Sequence, residues 1–336
     1  MFRPAWWLRH RHLQTIFPNF PLRRFPPLEL VRETVELPDG DFLHVDWHPK
    51  QPDGAPLVLL LHGLEGSVQS PYARTMLERL SDQGWRCALM HFRSCSGVPN
   101  RMTRSYHAGE TGDLQTIIDR LRERDADAPL VAIGYSLGGN VLLKWLGERG
   151  PEAPLTAAAA ISVPFDLQDA CHAMNIGFSR VYRNVLLGRL KSALDRKFPT
   201  GRAPGVPVRQ ALNSSSFIEF DDILTAPLHG FASVYDYYRR CSSRQFLKDI
   251  AVPTLIVNAR DDPFMTPSSV PSGNELSQFV ELELSEHGGH VGFISGKLPW
   301  KPDYWLLERI PEFLSQHLEA GETGRSGVGE KSGVGE

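Results

Sequence analysis

A short apolar run that ends in a glycine-flanked serine constrains this chain more than any other feature. Residues 130–133 are apolar, as in a buried parallel strand, and residues 141–146 have apolar spacing compatible with a helix. Between them lies Gly134-Tyr-Ser136-Leu-Gly138. This order predicts a sharp strand-to-helix turn, in which the glycines allow a strained backbone and a close approach of helix to strand. The Ser136 hydroxyl would then lie at a helix N-terminus, where the dipole and free N–H groups stabilise negative charge.

Strand-like and helix-like segments alternate on both sides of this turn. The strand patterns before and after it cover residues 57–61, 85–90, 156–163, 253–258 and 279–284, and the helix patterns cover residues 71–82, 113–124 and 304–317. Such alternation predicts an α/β protein with a mostly parallel central sheet and helices on both faces. Residues 33–47 alternate apolar and polar side chains around Pro38-Asp39-Gly40, which predicts an antiparallel N-terminal hairpin.

The alternation stops after residue 163. Residues 164–248 contain several helical patterns, and we expect them to form a helical cap inserted over the carboxyl ends of the strands, where open α/β sheets bind ligands. The core would comprise residues 31–163 and 249–318, with residues 1–30 as an N-terminal segment packed on it. Residues 319–336, which end in a repeated Ser-Gly-Val-Gly-Glu, have the composition of a disordered tail.

Composition excludes several classes of function. The formal net charge is −3, so the chain lacks the excess of basic residues that would indicate nucleic acid binding. The four cysteines lack C-x-x-C spacing, which indicates neither a zinc site nor a disulfide framework and favours a reduced, cytoplasmic protein. No stretch approaches the roughly 18 apolar residues of a membrane span, so we expect a soluble chain.

The N-terminal stretch 6–17 mixes aromatic and cationic residues and permits two interpretations. It could form a surface helix that gives weak association with lipid headgroups. Because its apolar stripe is short, we favour the simpler interpretation that its Trp and Leu side chains pack on the domain.

A serine hydroxyl becomes a nucleophile only beside a base that is itself held by a third group. His290 is the preferred base, because flanking glycines free its loop and it follows the last predicted strand of the sheet; His287 is the alternative. Asp262 is the preferred orienting acid, because it follows a buried strand and precedes a proline; Asp261 is the alternative. The chain order Ser136, Asp262, His290 is the one found with this type of turn.

Two backbone N–H groups are candidates for an oxyanion hole. One belongs to Leu137, the residue after the candidate nucleophile. The other is expected from Leu64, in a glycine-containing loop, residues 62–66, that directly follows an apolar strand pattern. No cofactor or metal is required for chemistry of this kind.

Taken together, these motifs resemble the α/β-hydrolases, and more narrowly the bacterial YheT-like branch related to the AB hydrolase 4 family. The resemblance rests on His12-Leu-Gln-Thr15, His62-Gly-Leu64, Phe92-Arg93, Cys95-Ser-Gly97, Tyr106-His107 with Gly109, Gly134 through Gly139, Asn258 through Pro263, and Gly289-His290. It implies the α/β-hydrolase fold and a Ser-His-Asp relay that hydrolyses carboxylic esters of short to medium acyl chains, lipid-derived esters included. Acyl transfer to an alcohol and non-catalytic ligand binding are the alternatives, and the sequence leaves the substrate and the oligomeric state open.

Overall fold

The computed structural model describes residues 2–19 and 28–326. Its main feature is an eight-stranded sheet in the order β1-β2-β4-β3-β5-β6-β7-β8, and β9 and β10 form a separate two-stranded sheet. The strands are β1 (Val31–Glu36), β2 (Phe42–Trp47), β3 (Leu57–Leu61), β4 (Arg86–Met90), β5 (Leu130–Tyr135), β6 (Ala157–Ile161), β7 (Thr254–Ala259), β8 (Val280–Ser285), β9 (Ile294–Leu298) and β10 (Lys301–Tyr304). Strands β3 to β8 are parallel, and β1 and β2 join them as an antiparallel pair, as the sequence predicts.

The helices connect the parallel strands and also fill the long interval between β6 and β7. They are α1 (Arg11–Ile16), α2 (Pro71–Asp82), α3 (Thr111–Arg124), α4 (Leu137–Arg149), α5 (Leu167–Ala173), α6 (Ser179–Lys197), α7 (Val208–Asn213), α8 (Phe217–Phe220), α9 (Ala226–Leu228), α10 (Val234–Cys241) and α11 (Leu306–Ser326). A π-helical turn, Asp221–Thr225, joins α8 to α9. Among the described residues, no helix is both long enough and apolar enough to cross a membrane.

Strand β3 illustrates why the centre of the sheet is so apolar. It pairs in parallel with β4 on one side and β5 on the other, and all five of its side chains are buried. Leu59 packs in the cluster that contains α3 and α4, whereas Leu60 packs in the cluster that contains α2 and α11. Because successive side chains of a strand point to opposite faces, a strand covered by helices on both faces must be apolar at every position.

The C-terminal region differs from the sequence pattern in two places. Strands β9 and β10 form a hairpin that the pattern does not predict, since residues 294–304 include one glycine, two prolines and only one β-branched side chain. The apolar pattern predicts that the last helix ends at His317, whereas helix α11 continues to Ser326. It therefore covers the beginning of the segment 319–336 that composition predicts to be disordered. Leu318, the first residue after His317, is buried in the same core cluster as Ile310 and Leu314. Residues 327–336 lie outside the described residues.

Candidate active site

The turn that holds Ser136 is a strained junction between β5 and α4. Ser136 has φ 52° and ψ −118°, a conformation that non-glycine residues rarely adopt. Its N–H donates to the carbonyl oxygen of Ile161, at 2.8 Å, at the end of the neighbouring β6. A Cβ on Gly134 would lie 2.6 Å from the Gly138 carbonyl oxygen, and a Cβ on Gly138 would lie 2.5 Å from the His62 carbonyl oxygen. Glycine at both positions therefore lets β5, α4 and the loop after β3 meet around Ser136.

The structure brings together Ser136, His290 and Asp262, which follow three different strands. The distance from His290 Nε2 to Ser136 Oγ is 2.9 Å, and the distance from His290 Nδ1 to Asp262 Oδ2 is 2.8 Å. An ionised carboxylate only accepts hydrogen bonds, so Nδ1 of the neutral ring carries the proton and Nε2 accepts from the serine hydroxyl. The buried Asp262 is fixed in turn by the N–H of Phe264, which donates to its Oδ1 at 2.8 Å. This arrangement is suited to removing a proton from Ser136.

The alternative acid and base lie beside this group and contact each other instead. His287 Nδ1 is 3.2 Å from Asp261 Oδ2, and Asp261 Oδ1 accepts from the N–H of Gly289 at 3.0 Å. The geometry thus places Asp261 against the loop that carries His290, whereas Asp262 faces the imidazole of His290.

The loop between β8 and β9 holds His290 in a strained backbone. Val291 and Phe293 have φ values of 60° and 47°, which cost energy in residues with a Cβ, most of all in a β-branched one. Neighbouring groups hold this conformation: the Val291 N–H donates to Ser162 Oγ at 2.9 Å, and the Phe264 ring stacks on the His290 imidazole with ring centres 3.9 Å apart.

Helix α1 also holds this loop, a role that the sequence analysis missed. The His290 N–H donates to Thr15 Oγ1 at 2.9 Å. The buried Gln14 donates from Nε2 to the carbonyl oxygens of Leu8 (2.7 Å) and Ile294 (2.9 Å). Its Oε1 accepts from the Ile294 N–H at 2.7 Å. A Cβ on Gly289 would lie 2.6 Å from the Arg11 carbonyl oxygen. The motif His12-Leu-Gln-Thr15 was the available signal, but its contact with a loop some 275 residues away follows only from the fold.

The loop after β3 presents one backbone N–H that is not already used. The Gly63 N–H donates to the Tyr72 hydroxyl at 2.8 Å, and the Glu65 N–H donates to the Tyr106 hydroxyl at 3.0 Å. Within residues 2–19 and 28–326, the Leu64 N–H has no protein acceptor. The Leu137 N–H is likewise available, because it opens helix α4. Both leucines line the same cavity as Ser136.

His62 holds this loop from beneath. Its Nε2 accepts from the Phe92 N–H at 3.2 Å, so Nδ1 carries the proton and donates to the Gly63 carbonyl oxygen at 2.6 Å. Complete burial lowers the pKa of His62 to about 3, and the ring stays neutral. The adjacent Glu65 carboxyl accepts from the Tyr106 hydroxyl at 2.8 Å, and burial raises its pKa above the ordinary value.

Ser136 and His290 open onto a mainly apolar cavity of about 150 Å³. The helices between β6 and β7 supply most of its wall, including Leu167, Met174, Leu186, Leu190, Phe217 and Leu224. Lys197 and Asp221 are charged exceptions on that wall. Asp221 accepts from Thr225 Oγ1 (2.6 Å) and the Tyr238 hydroxyl (2.7 Å), and burial raises its pKa to about 6. No group of three His, Cys, Asp or Glu side chains suited to a metal ion occurs in the described part of the chain.

Comparison with known proteins gives concordant results. The profile of a family described as alpha/beta hydrolase fold matches residues 56–297. The chain is 45% identical over 313 residues to the Escherichia coli (strain K12) protein named "Putative esterase YheT", covering 92% of this chain and 91% of that protein. It is 27% identical to mouse (Mus musculus) "Phospholipase ABHD3" over 95% of this chain and 79% of that protein. The Pyrococcus furiosus esterase Pf2001 superposes with a TM-score of 0.55 at 16% identity, covering 88% of this chain and 96% of the other.

Proposed function

The chain belongs to the α/β-hydrolase family, and from this premise we propose that it is a serine hydrolase that cleaves carboxylic esters through Ser136, His290 and Asp262. One observation carries the proposal: the two hydrogen bonds of 2.8 and 2.9 Å that join Asp262, His290 and Ser136 in series at the cavity. The names of relatives, which include an esterase and a phospholipase, support the ester class.

In the proposed reaction the Ser136 oxygen attacks the carbonyl carbon of the ester while His290 Nε2 takes the hydroxyl proton. Asp262 accepts the hydrogen bond from Nδ1 and stabilises the imidazolium. The N–H groups of Leu64 and Leu137 donate to the oxygen that becomes negative in the tetrahedral intermediate. One such donor contributes about 2.7–4 kcal/mol where it has been measured.

The second half of the reaction reverses the proton path. His290 gives its proton to the leaving alcohol, which departs and leaves an acyl group on Ser136. A water molecule then gives a proton to His290 and attacks the acyl carbon, and the acid leaves as Ser136 recovers its proton. No step requires a cofactor.

We propose that residues 164–248 act as a cap on a core made of residues 31–163 and 249–318. Support comes from the cavity wall, since helices α5, α6 and α8 supply apolar side chains that face Ser136 across the cavity. A mainly apolar wall fits the acyl part of an ester of short to medium chain length. Excluding water on this side would also strengthen the hydrogen bonds to the developing charge.

The test is the Ser136→Ala variant assayed with p-nitrophenyl butyrate. We expect the turnover number to fall at least about a thousandfold, since the nucleophile is lost while the cavity remains. The matched control is Ser192→Ala, which removes an exposed hydroxyl of α6 and should leave turnover unchanged. Wild-type turnover by a correctly folded Ser136→Ala protein would overturn the proposal.

A further inference from the structure

Helix α6 is apolar on two opposite sides. Leu186, Leu190 and Leu194, spaced by four residues, line the cavity above Ser136. Val181 and Val185 lie half a turn away from them around the helix axis, and they are 48% and 52% exposed. Packing in the described chain accounts for the first face of α6 but leaves the second uncovered.

Further exposed apolar side chains surround this second face. Ile176 and Phe178, just before α6, are 69% and 49% exposed, and Leu13 of α1 is 51% exposed. The Phe178 ring lies 4.6 Å from the ring of His12, so α1 and the start of α6 are in contact. We call the set Leu13, Ile176, Phe178, Val181 and Val185 the outer apolar patch. Single exposed apolar residues are ordinary, whereas several on adjoining elements indicate an interaction surface.

The outer apolar patch lies next to the candidate active site. Tyr182 connects them, with its ring centre 5.8 Å from that of Phe178 and 5.2 Å from that of Phe264. Phe264 in turn stacks on the His290 imidazole. A surface docked on the patch would therefore face the same end of the sheet as Ser136.

The charge around the patch is opposite in sign to that of the whole chain. Helix α6 contains four arginines and two lysines against one aspartate, in a chain with a net charge of −3. Its Arg180, Arg189 and Arg196 are exposed, as are Arg9 and Arg11 at the start of α1. Cations next to an apolar face are the combination that binds an anionic lipid surface.

We propose that the outer apolar patch and the arginines around it dock this protein on an anionic lipid surface. A second copy of the chain is a poorer occupant, because a twofold contact would place these arginines against their own symmetry mates. The patch would insert among the acyl chains while the arginines pair with lipid phosphates. Combined with the proposed esterase activity, on which this last step rests, docking would present esters of the lipid layer to the cavity beneath α6.

Cosedimentation with vesicles tests the docking itself, and the Ser136→Ala protein is used so that no lipid is consumed. We expect the protein to sediment with vesicles of phosphatidylcholine containing phosphatidylglycerol, less with phosphatidylcholine alone, and less at high salt. Free inorganic phosphate should not compete. The triple variant I176S/V181S/V185S, altered only at exposed positions, should bind at least about tenfold more weakly. The control V31S/F279S removes exposed apolar side chains at the start of β1 and just before β8, outside the patch, and should bind like the parent protein.

Failure to sediment with anionic vesicles would overturn the proposal, as would undiminished sedimentation of the triple variant. If the parent protein does not bind vesicles but elutes as a dimer, and the triple variant elutes as a monomer, the patch is a contact between two copies of the chain instead. The triple variant with Ser136 restored should cleave soluble p-nitrophenyl butyrate at the wild-type rate, which verifies its fold. If the wild-type protein binds vesicles but does not cleave esters, the docking proposal stands and the esterase proposal is refuted. If it cleaves esters but does not bind vesicles, only the docking proposal is refuted.

Discussion

Two adjacent aspartates make different contacts because the turn after β7 points them in different directions. Asp262 is buried and 2.8 Å from His290 Nδ1, while Asp261 accepts from the Gly289 N–H and approaches His287. Sequence alone ranked the two carboxylates but left both open, since either could follow the strand. The direction of each side chain is fixed by the Phe264 N–H and by the packing of the loop after β8, which sequence spacing does not show.

Replacing the two aspartates separately tests this assignment. Asp262→Asn should lower the turnover number for p-nitrophenyl butyrate by about 10⁴-fold, because an amide no longer fixes the Nδ1–H tautomer of His290. Asp261→Asn, the matched control, keeps an oxygen for the Gly289 N–H and should change turnover by less than about threefold. Steady-state kinetics of both variants decides between the two aspartates. A larger loss of turnover in Asp261→Asn than in Asp262→Asn would make Asp261 the orienting acid.

The glycines of the turn at Ser136 act at the level of packed elements. Gly138→Ala should lower the free energy of unfolding by about 1–3 kcal/mol, since the new Cβ would meet the carbonyl oxygens of Leu61 and His62. Gly188→Ala, in an open position inside α6, should raise it by about 0.8–1 kcal/mol through helix propensity. Urea unfolding measures the free energy of unfolding of both variants. Equal changes for Gly138→Ala and Gly188→Ala would contradict the close contact between α4 and the loop after β3.

Helix α1 positions the His290 loop through Thr15. Thr15→Val should lower kcat about tenfold with little change in KM, because it removes the acceptor of the His290 N–H while the cavity is untouched. Thr15→Ser keeps that acceptor and should restore kcat. The control is Thr116→Val in α3, which removes the same type of bond from a threonine hydroxyl to the carbonyl four residues earlier. A loss of kcat in Thr15→Ser equal to that in Thr15→Val would contradict this role.

The elements differ in how well the sequence predicts them, and the difference is physical. Strand β3 and helix α2 have the bounds that their patterns indicate, because complete burial or one apolar stripe leaves a local signature. The β9–β10 hairpin and the contact of α1 with the His290 loop depend on distant partners, so they leave almost no local signature in the sequence. Ser136 belongs to a local motif, whereas the meeting of Ser136 with His290 and Asp262 depends on the strand order β5-β6-β7-β8.

At the scale of the whole molecule, buried and half-buried histidines make stability depend on pH. Burial is the main cause that lowers the pKa of His12, His44, His48, His62, His107 and His229. Such a group binds fewer protons in the folded chain than in the unfolded chain. Its contribution is therefore complete above the unfolded pKa of about 6.5 and is lost as the pH falls toward the folded value. Asp221 acts in the opposite direction, because its raised pKa lets the folded chain hold a proton that the unfolded chain releases.

The free energy of unfolding should consequently fall between about pH 7 and pH 5, each histidine contributing up to about 1.4 kcal/mol per pH unit. Urea denaturation at several pH values measures the slope. Asp221→Asn removes an opposing group and should make the fall steeper. A free energy of unfolding that stays constant or increases as the pH falls over this interval would contradict the lowered pKa values of these histidines.

The central claim is that Ser136 is a nucleophile activated by His290 and Asp262. Its most direct test is mass spectrometry of the intact protein and its peptides after treatment with a fluorophosphonate ester, which reacts covalently with an activated serine. We predict one adduct per chain, located on Ser136, and none after Asp262→Asn over the same short reaction time. An unlabelled wild-type protein, or an adduct at any other residue, would contradict the claim.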